Sequence, residues 1–263
     1  RGSLLWRVAD EVRGPAGSAL AVDRQRFAES VTTALVKAPG VSIERREVTR
    51  LPEDGIVVVA SGPLTSPPLA AALTELVGSE HLYFYDAVSP VIEADSVDGE
   101  RTFRGSRYGK GGDDYVNCPL TPEEYRAFHT ALVEAECATP HDFEREVFFE
   151  GCLPVEVIAK RGPDTLLFGP LKPVGLLDPR TGRRPFAVVQ LRQDDLAASH
   201  FSLVGFQTHL KWGDQQRVFR MIPGLARAEF VRFGMIHRNT YINAPVVLEP
   251  TFETRRRPGL FLA

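Results

Sequence analysis

An uninterrupted apolar run, Ile56-Val-Val-Val-Ala60, lies between two segments of helical period, and that arrangement excludes most fold classes at once. A run so short, bounded by the Pro52–Gly55 turn and by Ser61-Gly-Pro63, reads as a strand buried on both faces. Ahead of it, Asp23 can cap a helix whose apolar positions Phe27, Val31 and Leu35 recur every four residues. Pro39-Gly40 stops that helix, and Val41 to Val48 reads as a further strand. Behind the run, Ser66-Pro67 opens a helix with Leu69, Leu73, Leu76 and Val77 on one face. Helices alternating with buried strands predict an α/β domain built on a largely parallel sheet.

The texture changes near residue 86. Thr121-Pro-Glu-Glu124 is a capping box with proline at the first helical position, and its helix carries Tyr125, Phe128, Leu132 and Ala135 on one side. Phe186 to Gln193 and Phe201 to Thr208 read as strands of a hairpin joined by a polar loop. The expected organisation is a first domain over 1–85, an inserted α+β unit over 86–237 and a return to the first domain over 238–263.

Composition narrows the function classes. Hydrophobic residues make up 43 % and charged residues 25 %, the balance of a globular chain. No apolar run is long enough to span a bilayer, and no secretory leader is recognisable. Three cysteines, an odd number, fit a reducing compartment, so a cytoplasmic location is expected. A net charge of −3 argues against a general basic coat for nucleic acid, although a few well-placed Lys and Arg suffice for phosphate contacts.

Several motifs carry chemistry. Gly62, at the end of the apolar strand, lets backbone approach a ligand as nucleotide cofactors require, although a plain strand-ending turn has the same residues. The stretch Gly105-Ser-Arg-Tyr-Gly-Lys-Gly-Gly112 is not a phosphate loop, because its lysine follows the wrong gap and Gly111 replaces Ser or Thr. A mobile basic loop is expected there. The chain has neither a GxGxxG fingerprint nor a GxSxG elbow. Arg45-Arg46 and Arg255-Arg-Arg257 could touch phosphate or be solvated faces.

Cys118, Cys137 and Cys152 are too scattered for paired zinc knuckles, and no metal site is expected. Cys137 closes an amphipathic helix, and Cys118 lies in a loop with no evident activator. Cys152 precedes a short helix with Pro154 near its start and Gly162 just past its end, beside the dipole end that stabilises a thiolate. It is therefore the candidate nucleophile, with a buried structural cysteine as the alternative. His237-Arg-Asn-Thr-Tyr-Ile-Asn243 concentrates hydrogen-bonding groups, as a binding surface or an interdomain seam would.

Taken in order, these segments resemble the folate- and FAD-dependent tRNA (uracil-5-)-methyltransferases of bacteria. The resemblance rests on Ala19-Leu-Ala-Val-Asp-Arg24, Gly62-Pro-Leu-Thr-Ser66, Tyr85-Asp-Ala87, Ser89-Pro90 and Tyr115-Val-Asn-Cys-Pro119. It continues through Phe149-Glu-Gly-Cys-Leu-Pro-Val-Glu156, Phe168-Gly-Pro-Leu-Lys-Pro-Val-Gly-Leu176, Val204-Gly-Phe-Gln-Thr208, Met221-Ile-Pro-Gly-Leu225 and His237 to Asn243.

The resemblance implies an FAD-binding domain of the glutathione-reductase type interrupted by an insertion domain that helps hold tRNA. It further implies 5-methyluridine formation in the T-loop, with methylenetetrahydrofolate as one-carbon donor and NAD(P)H as reductant through FAD. Cys152 matches the family's cysteine in Glu-Gly-Cys-Leu-Pro, and Ser61 and Gly62 match its flavin-proximal loop, with serine where threonine is commoner. His237, Arg238 and Tyr241 are implied folate or flavin neighbours. The family's glycine-rich FAD fingerprint and a second cysteine near it have no counterpart here, so the chain alone is expected to bind FAD weakly or not at all and to be inactive. A related tRNA wobble-uridine-modifying flavoprotein and a non-catalytic RNA-binding module are the competing readings.

Overall fold

The computed structural model describes residues 2–62, 64–77, 81–138 and 152–263, with the side chains of 81–86 and 236–241 outside the description. In chain order the elements begin with α1 (Leu4–Glu11), β1 (Arg13–Gly14), β2 (Ala21–Val22), α2 (Arg24–Val36), β3 (Val57–Val59) and α3 (Pro67–Val77). There follow β4 (His81–Ala87), β5 (Val91–Glu93), β6 (Phe103–Arg104), β7 (Tyr115–Leu120), α4 (Pro122–Glu134) and α5 (Val155–Lys160). The last are β8 (Ala187–Gln193), β9 (His200–Leu203), α6 (Trp212–Phe219), β10 (Phe230–Arg232), β11 (Ile236–Ile242), α7 (Ala244–Val247) and β12 (Leu260–Leu262). The described residues form two compact units: 2–42, 87–138 and 153–235 in one, and 43–62, 64–77, 81–86, 152 and 236–263 in the other.

The larger unit is organised by a six-stranded sheet in the order β10-β5-β9-β8-β7-β6. Every pairing in it is antiparallel. The expected hairpin is its centre: β8 pairs with β9, Leu191 opposite Leu203 and Gln193 opposite Phe201. One face of β8 carries Ala187, Val189 and Leu191, all fully buried, so helices must cover it. One of them, α4, has the predicted capping box: Thr121 accepts from the Glu124 N–H while the Glu124 carboxylate accepts from the Thr121 N–H. With its N-terminal donors satisfied, α4 can turn Tyr125, Phe128 and Leu132 into the core with Leu166, Leu171, Phe206 and Phe219.

Residues 24–36 form the helix expected from the sequence. Asp23 caps α2 and accepts from the Arg26 N–H at 3.0 Å. Its second oxygen accepts from the Leu196 N–H at 3.2 Å, which joins the helix start to the β8–β9 loop. The strand expected over 41–48 does not form. Val41, Ile43 and Val48 are exposed, and no ladder partner exists for them among the described residues.

The smaller unit contains α3 against the parallel pair β3–β12, with Leu69, Leu73, Val77, Leu248, Leu260 and Leu262 as its core. The expectation that 56–60 is buried on both faces is corrected here. Ile56 and Val58 are exposed, and only the face of β3 carrying Val57 and Val59 packs on this cluster. β4 and β11 form a separate two-stranded pair.

One side chain holds the far end of the larger unit together. Gln215 of α6 is fully buried and donates to the carbonyls of Leu210 and Gly234, at 2.7 and 2.8 Å. Its Oε1 accepts from the Gly234 N–H at 2.8 Å. Gln215→Leu keeps the volume and orphans all three backbone groups, so we expect a loss of about 3 kcal/mol. Thermal unfolding of the variant should show a midpoint roughly 10 °C lower, and a shift under about 2 °C would refute this role.

Candidate functional site

The three thiols occupy three different environments. Cys118 is not in a loop but on β7, fully buried, and burial pushes its pKa up to about 12 against the weaker pull of Arg180. A thiol held in that form is inert as a nucleophile. Cys152 is half-buried and stands three residues ahead of α5. Pro154 occupies the N-cap of α5, not its first turn, and Gly162 follows the C-cap residue Arg161. The helix has only six residues and carries the carboxylate of Glu156 in its first turn, so its dipole supplies little of the activation expected for Cys152. Phe149, Glu150 and Gly151 of the same motif lie outside the described residues.

Glu156 is the most constrained ionisable group of the larger unit. It is 0 % exposed, and a carboxylate so placed must be fully compensated. Oε2 accepts from the Thr208 hydroxyl at 2.8 Å, and Oε1 accepts from the His209 N–H at 2.8 Å. His209, itself 5 % exposed, places Nδ1 2.7 Å from Oε1. Cys137, just past α4, is fixed alongside by backbone. It bridges to Leu210, the Ala138 N–H donates to the His209 carbonyl at 2.7 Å, and the Lys211 N–H donates to the Glu136 carbonyl at 2.8 Å. One ligand-type atom each from Cys137, Glu156 and His209 therefore lie within 4.8 Å of one another. Burial works against a charge on His209, but the Cys137 sulfur and the Glu156 carboxylate outweigh it, and the imidazole pKa is pushed up to about 10. Nothing in the sequence brings these three residues together, since they come from three separate segments.

A second concentration of polar groups lines an open cavity of about 870 Å³ that includes Arg24, Asp194, Asp195, Ser199, His200 and Arg232. Ser199 Oγ is 3.0 Å from His200 Nδ1, and Asp195 Oδ2 is 2.8 Å from the same nitrogen. A hydrolytic triad needs serine and acid on opposite nitrogens of the imidazole, so this cluster is not one.

The Ser61–Gly62 turn follows β3 in the smaller unit. Gly62 has φ of 71°, and a Cβ there would meet nothing within 4 Å, leaving the backbone open to approach. Thr65 holds the turn, donating to the Gly62 carbonyl at 2.9 Å and lying 2.7 Å from Ser61 Oγ. His237, Arg238 and Tyr241 fall on β11, and their side chains lie outside the described residues. The 105–112 stretch is pinned, contrary to the mobile loop expected. Arg107 donates to the Lys172 carbonyl at 2.8 and 3.1 Å, and the Tyr108 N–H donates to Gly175 at 2.9 Å.

The raised pKa of His209 has a consequence for stability. An unfolded histidine titrates near ~6.5, so the stabilisation from holding it protonated is fully present below that pH and is lost as pH rises through about 10. Thermal melts in metal-free buffer should show a falling midpoint between pH 7 and 10. His209→Gln should start lower and fall less over that range, and equal slopes would remove the assignment.

Three comparisons bear on this geometry. The family described as glucose inhibited division protein A matches residues 2–263. The chain is 60 % identical over 262 residues to a relative from Moorella thermoacetica named methylenetetrahydrofolate–tRNA-(uracil-5-)-methyltransferase TrmFO. It is 56 % identical over 261 residues to one of the same name from Listeria monocytogenes. It spans about 60 % of the length of these relatives. Among solved structures, Aquifex aeolicus GidA in its form II crystal aligns over 92 % of this chain and 44 % of its own, with a TM-score of 0.65 at 16 % identity. The form I crystal gives 0.64. The mixed α/β fold is therefore shared with GidA, and by its match from residue 2 to residue 263 the chain belongs to the glucose inhibited division protein A family.

Proposed function

We propose that this chain is the central part of a folate-dependent tRNA (uracil-5-)-methyltransferase in which Cys152 is the nucleophile. The observation that carries the reading is the 60 % identity, across the whole chain, to a relative of that printed name. The environment of one other thiol agrees with it: Cys118 is sealed in the core with its pKa pushed up to about 12, whereas Cys152 is half-buried just ahead of α5.

The chemistry asks for a thiolate. Uracil C5 becomes nucleophilic when sulfur bonds to C6 and the C5–C6 π electrons move onto the C4 carbonyl as an enolate. C5 then bonds to the methylene carbon of the folate cosubstrate as one of that carbon's two C–N bonds opens and its electron pair stays on nitrogen. Loss of the C5 proton expels the second folate nitrogen and leaves an exocyclic methylene; once this is reduced to methyl, cleavage of the S–C6 bond restores the ring and frees Cys152. The target base, in the T-loop on this reading, must leave its stack to reach the sulfur.

The open backbone at Gly62 fits close approach by FAD, and Ser61 and Gly62 would hold it there with His237, Arg238 and Tyr241 as folate or flavin neighbours. Bound FAD supplies the reduction of methylene to methyl, with NAD(P)H as the source of electrons. The tRNA would lie against the larger unit.

A chimera carrying this chain in place of the matching 262 residues of the Moorella relative tests the reading. Given FAD, NADPH, methylenetetrahydrofolate and unmodified tRNA, it should form 5-methyluridine at the T-loop. Cys152→Ala should lower the yield by about 10³-fold or more with flavin still bound. Product at the wobble position, or none despite bound flavin, would overturn the reaction, and an active Cys152→Ala would overturn the nucleophile.

A further inference from the structure

We infer that Cys137, Glu156 and His209 form a binding site for one divalent cation of the zinc class, in the larger unit and separate from Cys152. The three residues offer one sulfur, one imidazole nitrogen and one carboxylate oxygen, all within 4.8 Å of one another. Three ligands around a single Zn²⁺ stand about 3.3–3.7 Å apart, given metal–ligand bonds of ~2.0–2.3 Å. The 2.7 Å contact between His209 and Glu156 has to open to that spacing when the ion enters.

Several further features fit a built site. Two of the ligands are buried, Glu156 at 0 % and His209 at 5 % exposed, whereas Cys137 is half-buried at the edge. The ion therefore has an entry side at Cys137. The carboxylate is already oriented from outside: Thr208, fully buried, donates to its other oxygen at 2.8 Å. Ligating carboxylates commonly have such a partner. The third ligand is placed by the Ala138–His209 and Lys211–Glu136 backbone hydrogen bonds, not by a flexible side chain reaching in. Charge balances as well, because one thiolate and one carboxylate neutralise a dication while a neutral imidazole completes the set. The mixture of S, N and O donors suits Zn²⁺, which has no d-electron preference for geometry, and disfavours Mg²⁺ or Ca²⁺, which take oxygen.

The test uses the purified 263-residue chain freed of metal. Titration with Co²⁺, the spectroscopic stand-in for Zn²⁺, should give a thiolate-to-metal charge-transfer band and intense four-coordinate d–d bands that saturate at one equivalent. Zn²⁺ should bleach them. The charge-transfer band should vanish in Cys137→Ala, a half-exposed position that folding tolerates, and persist in Cys118→Ala and Cys152→Ala. Thr208→Val should weaken Co²⁺ binding by about 10-fold or more. Absence of the band in the native chain, or its survival in Cys137→Ala, would overturn the site and leave a protonated histidine–carboxylate pair beside a thiol.

Discussion

A carboxylate buried completely among apolar side chains fixes much of the larger unit. Glu156 sits in the first turn of a six-residue helix that has almost no stability of its own. The helix persists because its front end is attached elsewhere: Glu156 takes hydrogen bonds from Thr208 and from the His209 backbone, and the Val155 N–H donates to the Gln207 carbonyl at 2.8 Å. Removing the Thr208 hydroxyl would leave one carboxylate oxygen without its hydrogen bond, at a cost of about 1–3 kcal/mol. The segment 207–211 that satisfies Glu156 is itself held at Leu210 by Gln215 and at Lys211 by Glu136. Helices α4, α5 and α6 therefore meet through polar groups as well as through the Phe128–Phe206–Phe219 cluster.

What the sequence made legible was local. The capping box at Thr121, the Asp23 cap and the apolar stripe of α3 depend on residues within one or two turns, and each is present. The β8–β9 hairpin was legible for the same reason, since its partners are adjacent in the chain. Val41 to Val48 has strand composition, but a strand exists only with a partner, and composition cannot supply one. The glycine-rich stretch 105–112 resembled a loose loop because its anchors, Lys172 and Gly175, are far away in sequence.

The candidate site divides along the same line. Cys152 was singled out from its place ahead of a short helix and then from the Glu-Gly-Cys-Leu-Pro resemblance, and the Ser61–Gly62 turn from glycine after a strand. The Cys137–Glu156–His209 cluster had no sequence signal, because its members come from the end of α4, the first turn of α5 and the segment before α6. Spacing rules for metal sites detect ligands that share a knuckle or a helix face. They do not detect ligands assembled by tertiary contact.

The environments of the three cysteines follow from where the sheet and helices place them. Cys118 alternates into the core from β7, and desolvation alone removes it from chemistry. Cys137 leaves α4 just where the backbone turns to bridge Leu210, which sets its sulfur beside an imidazole that Glu156 already orients. Cys152 precedes a helix too short to polarise it strongly, so the role proposed for it calls for activating groups other than the helix dipole. Position matters more than dipole for such a residue. The buried Glu156 fixes the start of α5 through Thr208 and the His209 backbone, and the same carboxylate orients the His209 imidazole beside the Cys137 sulfur.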